Sequence, residues 1–318
     1  MSSLNPWSQG ILNLIRRVNN FRSGPLVSQC TLFLVDGIPV GTISPYVLPH
    51  LEKHTDVFKL VRNHEGGIGH VTLDSNLQTF EQRTKKVDDV MQEFRKKDLF
   101  LTLKGWRDEL SSSCPVCIFR CMLVSRSFHE EPLLKVERSA ACLLGVIQYG
   151  VHLNGYYKDD KGDLYMWVGR RSLTKQTYPG MLDQVVAGGI SCGMGVKETL
   201  VKECAEEASI PENLAHQAIP CGTVSYCLNN ERGIFPELQF VYDLVLPTDF
   251  IPSPNDKEVS EFYCWPINKV KEMIITDEFK PNCALVIVDF LIRHGEISAD
   301  TEQYYTDFVS GCHQTPLD

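Results

Sequence analysis

Acidic side chains at positions i, i+3 and i+4 stand on one face of a helix, and Glu203, Glu206 and Glu207 fall at that spacing. They would lie within about 6 Å of one another, where like charges destabilise the helix unless a cation sits among them. Clustered hard oxygen donors select Mg²⁺ or Mn²⁺. Upstream runs Gly188-Gly189-Ile190-Ser191-Cys192-Gly193-Met194, whose glycines let backbone approach closely and turn where side chains forbid it. A loop and helix with a carboxylate face suit a divalent-metal phosphohydrolase, in which metals bridge phosphate oxygens and make a nucleophile of water near neutral pH. Taken alone, the triplet reads more readily as a solvated acidic face.

The rest of the chain permits such an enzyme. Its 318 residues are 43% apolar and 22% charged, which suffices for a sizeable core and excludes a disordered or collagen-like chain. The best apolar run, Cys283 to Ile292, is interrupted by Asp289 and is far short of the roughly 18 residues a membrane span needs. A net charge of −9 argues against a general nucleic-acid partner, which requires a basic face. Twelve cysteines without an Asn-x-Ser/Thr site or a secretory signal point to free thiols in a reducing compartment. Cys114 and Cys117, with Cys121 behind them, lack the second ligand pair of a zinc site and read as incidental thiols.

Before Asp36 the chain carries Arg16, Arg17 and Arg22 and no acid, with Ile11, Leu12, Ile15 and Val18 at helical spacing. A transit peptide has that character, but so does a first helix packing its apolar face on the domain. The direct run into a strand favours the helix, and with it a cytoplasmic protein over a mitochondrial one. Two blocks follow, divided by the charged, Pro-containing stretch Phe128 to Leu133: an α+β unit over 1–134 and a second unit over 135–318. In the first, Thr31–Val35 and Val40–Ile43 read as a hairpin around Asp36-Gly37, Val47–Leu60 and Val87–Lys97 as helices, and Gly66–Gly69 as a turn. In the second, Ala140–Val151 reads as a buried strand, and Leu164–Val168, Glu237–Leu246 and Glu261–Ile267 also read as strands. Val196–Ala208 and Pro281–Arg293 read as helices. Strands interleaved with few helices, without a regular βα repeat, predict an α/β sandwich and not a doubly wound sheet.

The full spacing around the triplet resembles the Nudix box, Gly-x5-Glu-x7-Arg-Glu-U-x-Glu-Glu-x-Gly-U with U aliphatic. Gly188 takes the first glycine, Glu203, Glu206 and Glu207 the central glutamates, and Cys204 and Ile210 the U positions. Met194, Lys202 and Ser209 replace the outer Glu, the Arg and the last Gly. The first two changes remove an orienting ion pair, which bears on rate more than on metal binding, since Arg and Lys differ where a fork is needed. Glu198, one turn before Lys202, offers a substitute partner.

Further blocks resemble one Nudix branch, related to the Nudix part of fused thiamin pyrophosphokinases and carrying an extra N-terminal domain. They include Gly150–Gly155, Trp167–Ser172, Lys175–Asp183, Val186–Gly189, Tyr242–Leu244, Pro254–Val259, Phe279–Ala284 and Asp289–Gly295, and in the first block Val35–Gly37 through Val40-Gly41, then Ile43-Ser44-Pro45. The resemblance implies a Nudix-type α/β/α sandwich of mixed sheet and helices after a smaller α+β domain. It implies hydrolysis of a small-molecule diphosphate to the monophosphate, with oxo- and oxythiamin diphosphate as the substrate class, and Mg²⁺ or Mn²⁺ on Glu203, Glu206 and Glu207.

The remaining candidates are read from residue chemistry. Arg170, Arg171 and Lys175 form the local basic patch of an acidic chain and suit substrate phosphates. Tyr178 suits stacking on a flat heterocycle, whereas Trp167 suits the core. Gly188 and Gly189 shape the loop, and Lys202 or Arg170 balances charge on the leaving phosphate. Glu258 or Glu261, after the box, would supply a base or an extra ligand, Glu261 being the one assigned to catalysis. His152 and His294 read as structural. Tyr226, beyond the box, admits a dinucleoside polyphosphate or other nucleoside diphosphate as the rival substrate, and the Met194 and Lys202 departures admit a binding module that kept the fold and lost turnover.

Overall fold

The computed structural model describes residues 5–106 and 121–315. Cys114 and Cys117 lie outside them. The chain opens with α1 (Pro6–Val18) and the single turn α2 (Asn20–Ser23). Strands β1 (Thr31–Val35) and β2 (Ile38–Ile43) form the hairpin, with Asp36 and Gly37 both at positive φ. After α3 (Leu48–Leu51), β3 (Phe58–Arg62) and β4 (Ile68–Leu73) complete a sheet in the order β2-β1-β4-β3. A helix over Val47–Leu60 is therefore not formed beyond one turn. From Phe58 the side chains alternate between buried and open positions, and the backbone finds its partner in β4. The Gly66–Gly67 turn joins β3 to β4, with Gly66 at φ 83°. Helix α4 (Phe80–Lys96), started by a Thr79–Gln82 capping box, lays Val87, Val90, Met91 and Phe94 on this core.

A two-stranded ribbon of β5 (Met122–Val124) and β6 (Leu134–Val136) precedes α5 (Arg138–Leu144) and then β7 (Gln148–Lys158). The expected strand over Ala140–Val151 is thus half helix and half strand. Gly145, in the left-handed conformation at φ 56°, ends the helix. Ala140 to Leu144 are all buried, so the helix shows no polar face for a 3.6-residue period to mark.

The second sheet has seven strands among the described residues. To β7 it adds β8 (Leu164–Arg171), β9 (Leu182–Gln184), β10 (Val186–Gly189), β11 (Ile219–Asn230), β12 (Gly233–Val245) and β13 (Val259–Pro266). It is mixed: β12 runs parallel to β7, while β8 and β10 pair antiparallel with it. Between β10 and β11 come α6 (Val196–Ala208) and the short α7 (Glu212–Ala215). After β13 come α8 (Ile267–Met273), α9 (Pro281–Arg293) and α10 (Tyr305–Cys312).

Leu200, Cys204 and Ala208 of α6 pack on one face of the sheet with Val151, Leu153, Trp167 and Val186. The buried residues of α9 and α10 pack on the other with Met166, Val224 and Val241. The result is an α/β/α sandwich. Relative to the expected division after residue 134, α5 lies in the first core, while Ile11, Leu14 and Val18 of α1 lie in the second with α9 and α10. No helix of the described residues is long and apolar enough to cross a membrane.

Candidate active site

Strand β10 and helix α6 bring the box together. Gly188 pairs with Val151 across the β10–β7 ladder. A methyl group at Gly188 would lie 2.5 Å from Cγ and Cδ of Glu203, so the glycine is the space in which that side chain rests. Glu207 is buried, and its Oε2 accepts a hydrogen bond of 2.8 Å from the N–H of Ala187. Burial pushes the Glu207 carboxyl well above its usual range, the charge of Glu203 adds to the rise, and the Ala187 N–H opposes it. Glu203 is also raised, first by burial, against the pull of Lys202. Glu206 is exposed and paired with Lys202, whose Nζ also stands 3.3 Å from Glu203 Oε1.

Glu198 does not pair with Lys202. It occupies the third position of α6 and accepts from the N–H of Gly195 at 3.2 Å, satisfying a donor that the helix start would leave orphaned. Beyond the helix, the segment 253–258 folds back on its C-terminal end. Ser253 N–H donates to Ala208 O, Asn255 Nδ2 to Ala205 O and Asp256 N–H to Glu206 O, at 3.0–3.2 Å. This turn brings Glu258 into the electrostatic field of Glu203 and Glu207.

Among the described residues, no three His, Cys, Asp or Glu side chains are gathered as a metal site. The cation between Glu203 and Glu206 is Lys202. The donors nevertheless fit a hard divalent ion: they are carboxylate oxygens, and nearby carboxylates raise both Glu203 and Glu207.

The other predicted residues are distributed around this helix. Lys175 is salt-bridged to Glu258 and so borders the carboxylates. Arg171 is buried, and its fork donates to Tyr178 O (3.1 Å), Thr177 O (2.9 Å) and Asp183 (2.7 Å), so all of its reach goes into holding the 177–183 loop. Arg170 donates to Tyr263 Oη and Gly180 O and lies over the Tyr263 ring. Glu261 accepts from Tyr263 Oη and faces Arg170 across the β13–β8 ladder, away from the α6 triplet. Tyr178 is half-buried with φ 51°, in the field of Glu237 and Lys280. Trp167 is in the core. Tyr226 is 1% exposed and donates to Glu237, so no ring face is offered to a ligand.

His152 and His294 are structural, bonded to Gln184 and to Asp243 respectively. Sequence reasoning passed over Asp183 and Lys280, 3.5 Å apart, and Asp243, which binds Arg293. Each lies in a block that carries the family resemblance, but its partner is far in sequence, so the block did not mark its role.

Residues 10–148 match the model of a domain of unknown function, DUF4743. Over 299 residues the chain is 38% identical to Nudix hydrolase 20, chloroplastic, of Arabidopsis thaliana, spanning 93% of this chain and 75% of that protein. The chain is a Nudix hydrolase. Nudix hydrolase 24, chloroplastic, of the same plant is 37% identical over 297 residues, with the same 93% and 75% shares. Uncharacterized protein YJR142W of Saccharomyces cerevisiae is 34% identical over 314 residues, covering 93% of this chain and 85% of its own.

The Nudix assignment makes the protein an enzyme and gives meaning to two departures in its box. Ser209, in the place of the last Gly, keeps the left-handed backbone at φ 53° and bonds through Oγ to Ser253 O at 2.9 Å. Lys202, in the place of the Arg, reaches two of the three glutamates as a point charge without the fork.

Proposed function

We propose that this Nudix hydrolase cleaves an organic diphosphate to the monophosphate with Mg²⁺ or Mn²⁺, using Glu203, Glu206 and Glu207 as metal ligands. One observation carries the reading: the carboxyls of Glu203, resting against Gly188, and of buried Glu207, on the Ala187 N–H, are both pushed up by burial, with the charge of Glu203 adding to Glu207 and those of Glu206 and Glu258 adding to Glu203. Such a pair lowers its energy by sharing a cation. When bound, the metal neutralises diphosphate charge and activates water. The chain's own residues do the rest. Gly188 leaves room for Glu203, the Ala187 N–H orients Glu207, and Lys202 offers positive charge beside Glu206 as phosphate leaves. Glu258, held by Lys175, is placed better than Glu261 to accept a proton near the triplet.

For the substrate we propose thiamin diphosphate analogues of the oxo- and oxythiamin type. The motif blocks outside the box support that branch. The dinucleoside polyphosphate alternative loses its support, because Tyr226 is buried on Glu237. Free thiols among the described cysteines suit a reducing compartment, and the names of the two plant relatives favour an organelle over the cytoplasm.

The test combines thermal unfolding with a diphosphate panel that counts the phosphates of each product. Mg²⁺ should raise Tm with concentration, and turnover should be highest on the thiamin analogues. Glu207→Gln should abolish most of the Mg²⁺ shift and cut turnover by orders of magnitude. Retention of both would show that α6 carries only a solvated acidic face.

A further inference from the structure

We propose that Arg138, supplied by the N-terminal unit, is a ligand for a phosphate of the substrate, so that this unit completes the active site. The proposal rests on the function just given and adds to it the origin of the cation that takes the diphosphate. Arg138 is the first residue of α5, whose Ala140, Ala141, Leu143 and Leu144 are embedded in the first core beside Phe33 and Val40. That packing fixes the residue to the N-terminal unit, while its side chain reaches into the second.

The guanidinium lies against Gly189. A methyl group there would sit 2.6 Å from Nη1 and 2.9 Å from Cζ and Nη2. Gly189 follows Gly188, the glycine that makes room for Glu203. Successive strand residues face opposite sides, about 3.4 Å apart along the chain. The carboxylates and the guanidinium therefore flank one short strand. Among the described residues β10 ladders with β7 alone, and at its other edge the Ala187 N–H donates to Glu207. Gly189 pairs with Gly150, over which the Gln239 side chain lies: a methyl group at Gly150 would sit 2.2 Å from its Oε1.

Among the described residues Arg138 has a charge partner in Glu237 but no hydrogen bond at its buried Nε. Glu237 feels its charge, but the Glu237 carboxylate already accepts from Tyr226 Oη and from Gln239 Nε2. A buried guanidinium donor left unpaired is costly, and a phosphate oxygen is the acceptor that its planar fork matches.

The experiment uses the full chain, with methylenediphosphonate and saturating Mg²⁺ as the probe in isothermal titration. Arg138→Gln should weaken binding about ten- to a hundredfold while leaving the Mg²⁺-driven Tm shift intact. Arg138→Lys should fall between it and the wild type. Gly189→Ala, which pushes the guanidinium aside, should weaken binding in the same way and guards against a folding defect in the Arg138 variants. Wild-type affinity in Arg138→Gln overturns the proposal and leaves the metal site standing. Absence of both a Mg²⁺ shift and probe binding in the wild type overturns the enzyme reading and the proposal together.

Discussion

The carboxylate of Glu207 is held by the N–H of Ala187 at 2.8 Å, one residue before the glycine that accommodates Glu203. Strand β10 thus fixes two of the three acids of α6 through consecutive residues, one by a hydrogen bond and the other by the absence of a side chain.

Gly188→Ala tests the second of these contacts. The added methyl meets Glu203 Cγ and Cδ at 2.5 Å, so the glutamate must leave its place. Overpacking of this kind costs about 1–3 kcal/mol. The expected result is a modest loss in urea stability, a smaller Mg²⁺-induced rise in Tm, and turnover reduced by about two orders of magnitude or more, as for a displaced catalytic group. Unchanged Mg²⁺ response would show that Glu203 takes no part in metal binding.

Arg171 was a candidate for substrate phosphates, yet its donors are spent on Asp183, Thr177 O and Tyr178 O. Arg171→Ala leaves the buried Asp183 with Lys280 at 3.5 Å as its remaining cation. Breaking a buried pair costs about 3–5 kcal/mol, and Lys280 puts the expectation at the lower end. Arg171→Lys should recover only part, since an ammonium cannot span both carbonyls. Arg170→Ala, at a more open site, should cost under about 1 kcal/mol. Urea unfolding of the three variants orders them, and a larger loss for Arg170 would reverse the assignment.

His152 sets an acid limit. Burial, with the charge of Lys280 adding to it, holds the imidazole down from 6.5 to about 4. The unfolded chain therefore binds the proton first as pH falls. The contribution of neutral His152 is complete above pH 6.5 and is lost progressively between 6.5 and 4, roughly 3 kcal/mol in all. His152→Gln should flatten that part of the stability–pH curve measured by denaturant titration. An unaltered slope would assign the acid sensitivity to other groups.

What could be read in the sequence followed from how local its cause was. Helix α6 appears where expected because Gly195 and Glu198 start it and Ser209 ends it within a few residues. Helix α9 begins at Pro281, which suits a first turn. The errors came where tertiary context decides. A buried helix without a polar side, α5, looked like a strand, and β3 looked like a helix until its partner β4 was in place. At the site, spacing alone put the three glutamates on one helix face, and only the wider box around them suggested metal ligands. The direction of Glu261 was not legible, because Tyr263 and Arg170 set it. Asp183, Lys280 and Arg138 stayed hidden because each matters only through residues distant in sequence.

The position of α1 changes what counts as the hydrolase part of the chain. Trp7 Nε1 donates to Lys271 O at 2.7 Å, Asn19 Nδ2 to Gly311 O at 3.1 Å and Asn20 Nδ2 to Asn229 O at 2.8 Å, and Gly311 leaves room for Ile15. The catalytic sandwich therefore uses residues from both sides of the first core, and that core is carried as an insertion, not as a prefix. A fragment cut at the joint would lose a wall of the enzyme along with its accessory unit and would expose the apolar surface of α9 and α10 that Ile11, Leu14 and Val18 cover. The two units are thus stitched together at both ends of the insertion, and a change of angle between them would have to disturb either the α1 contacts or the α5 helix that carries Arg138.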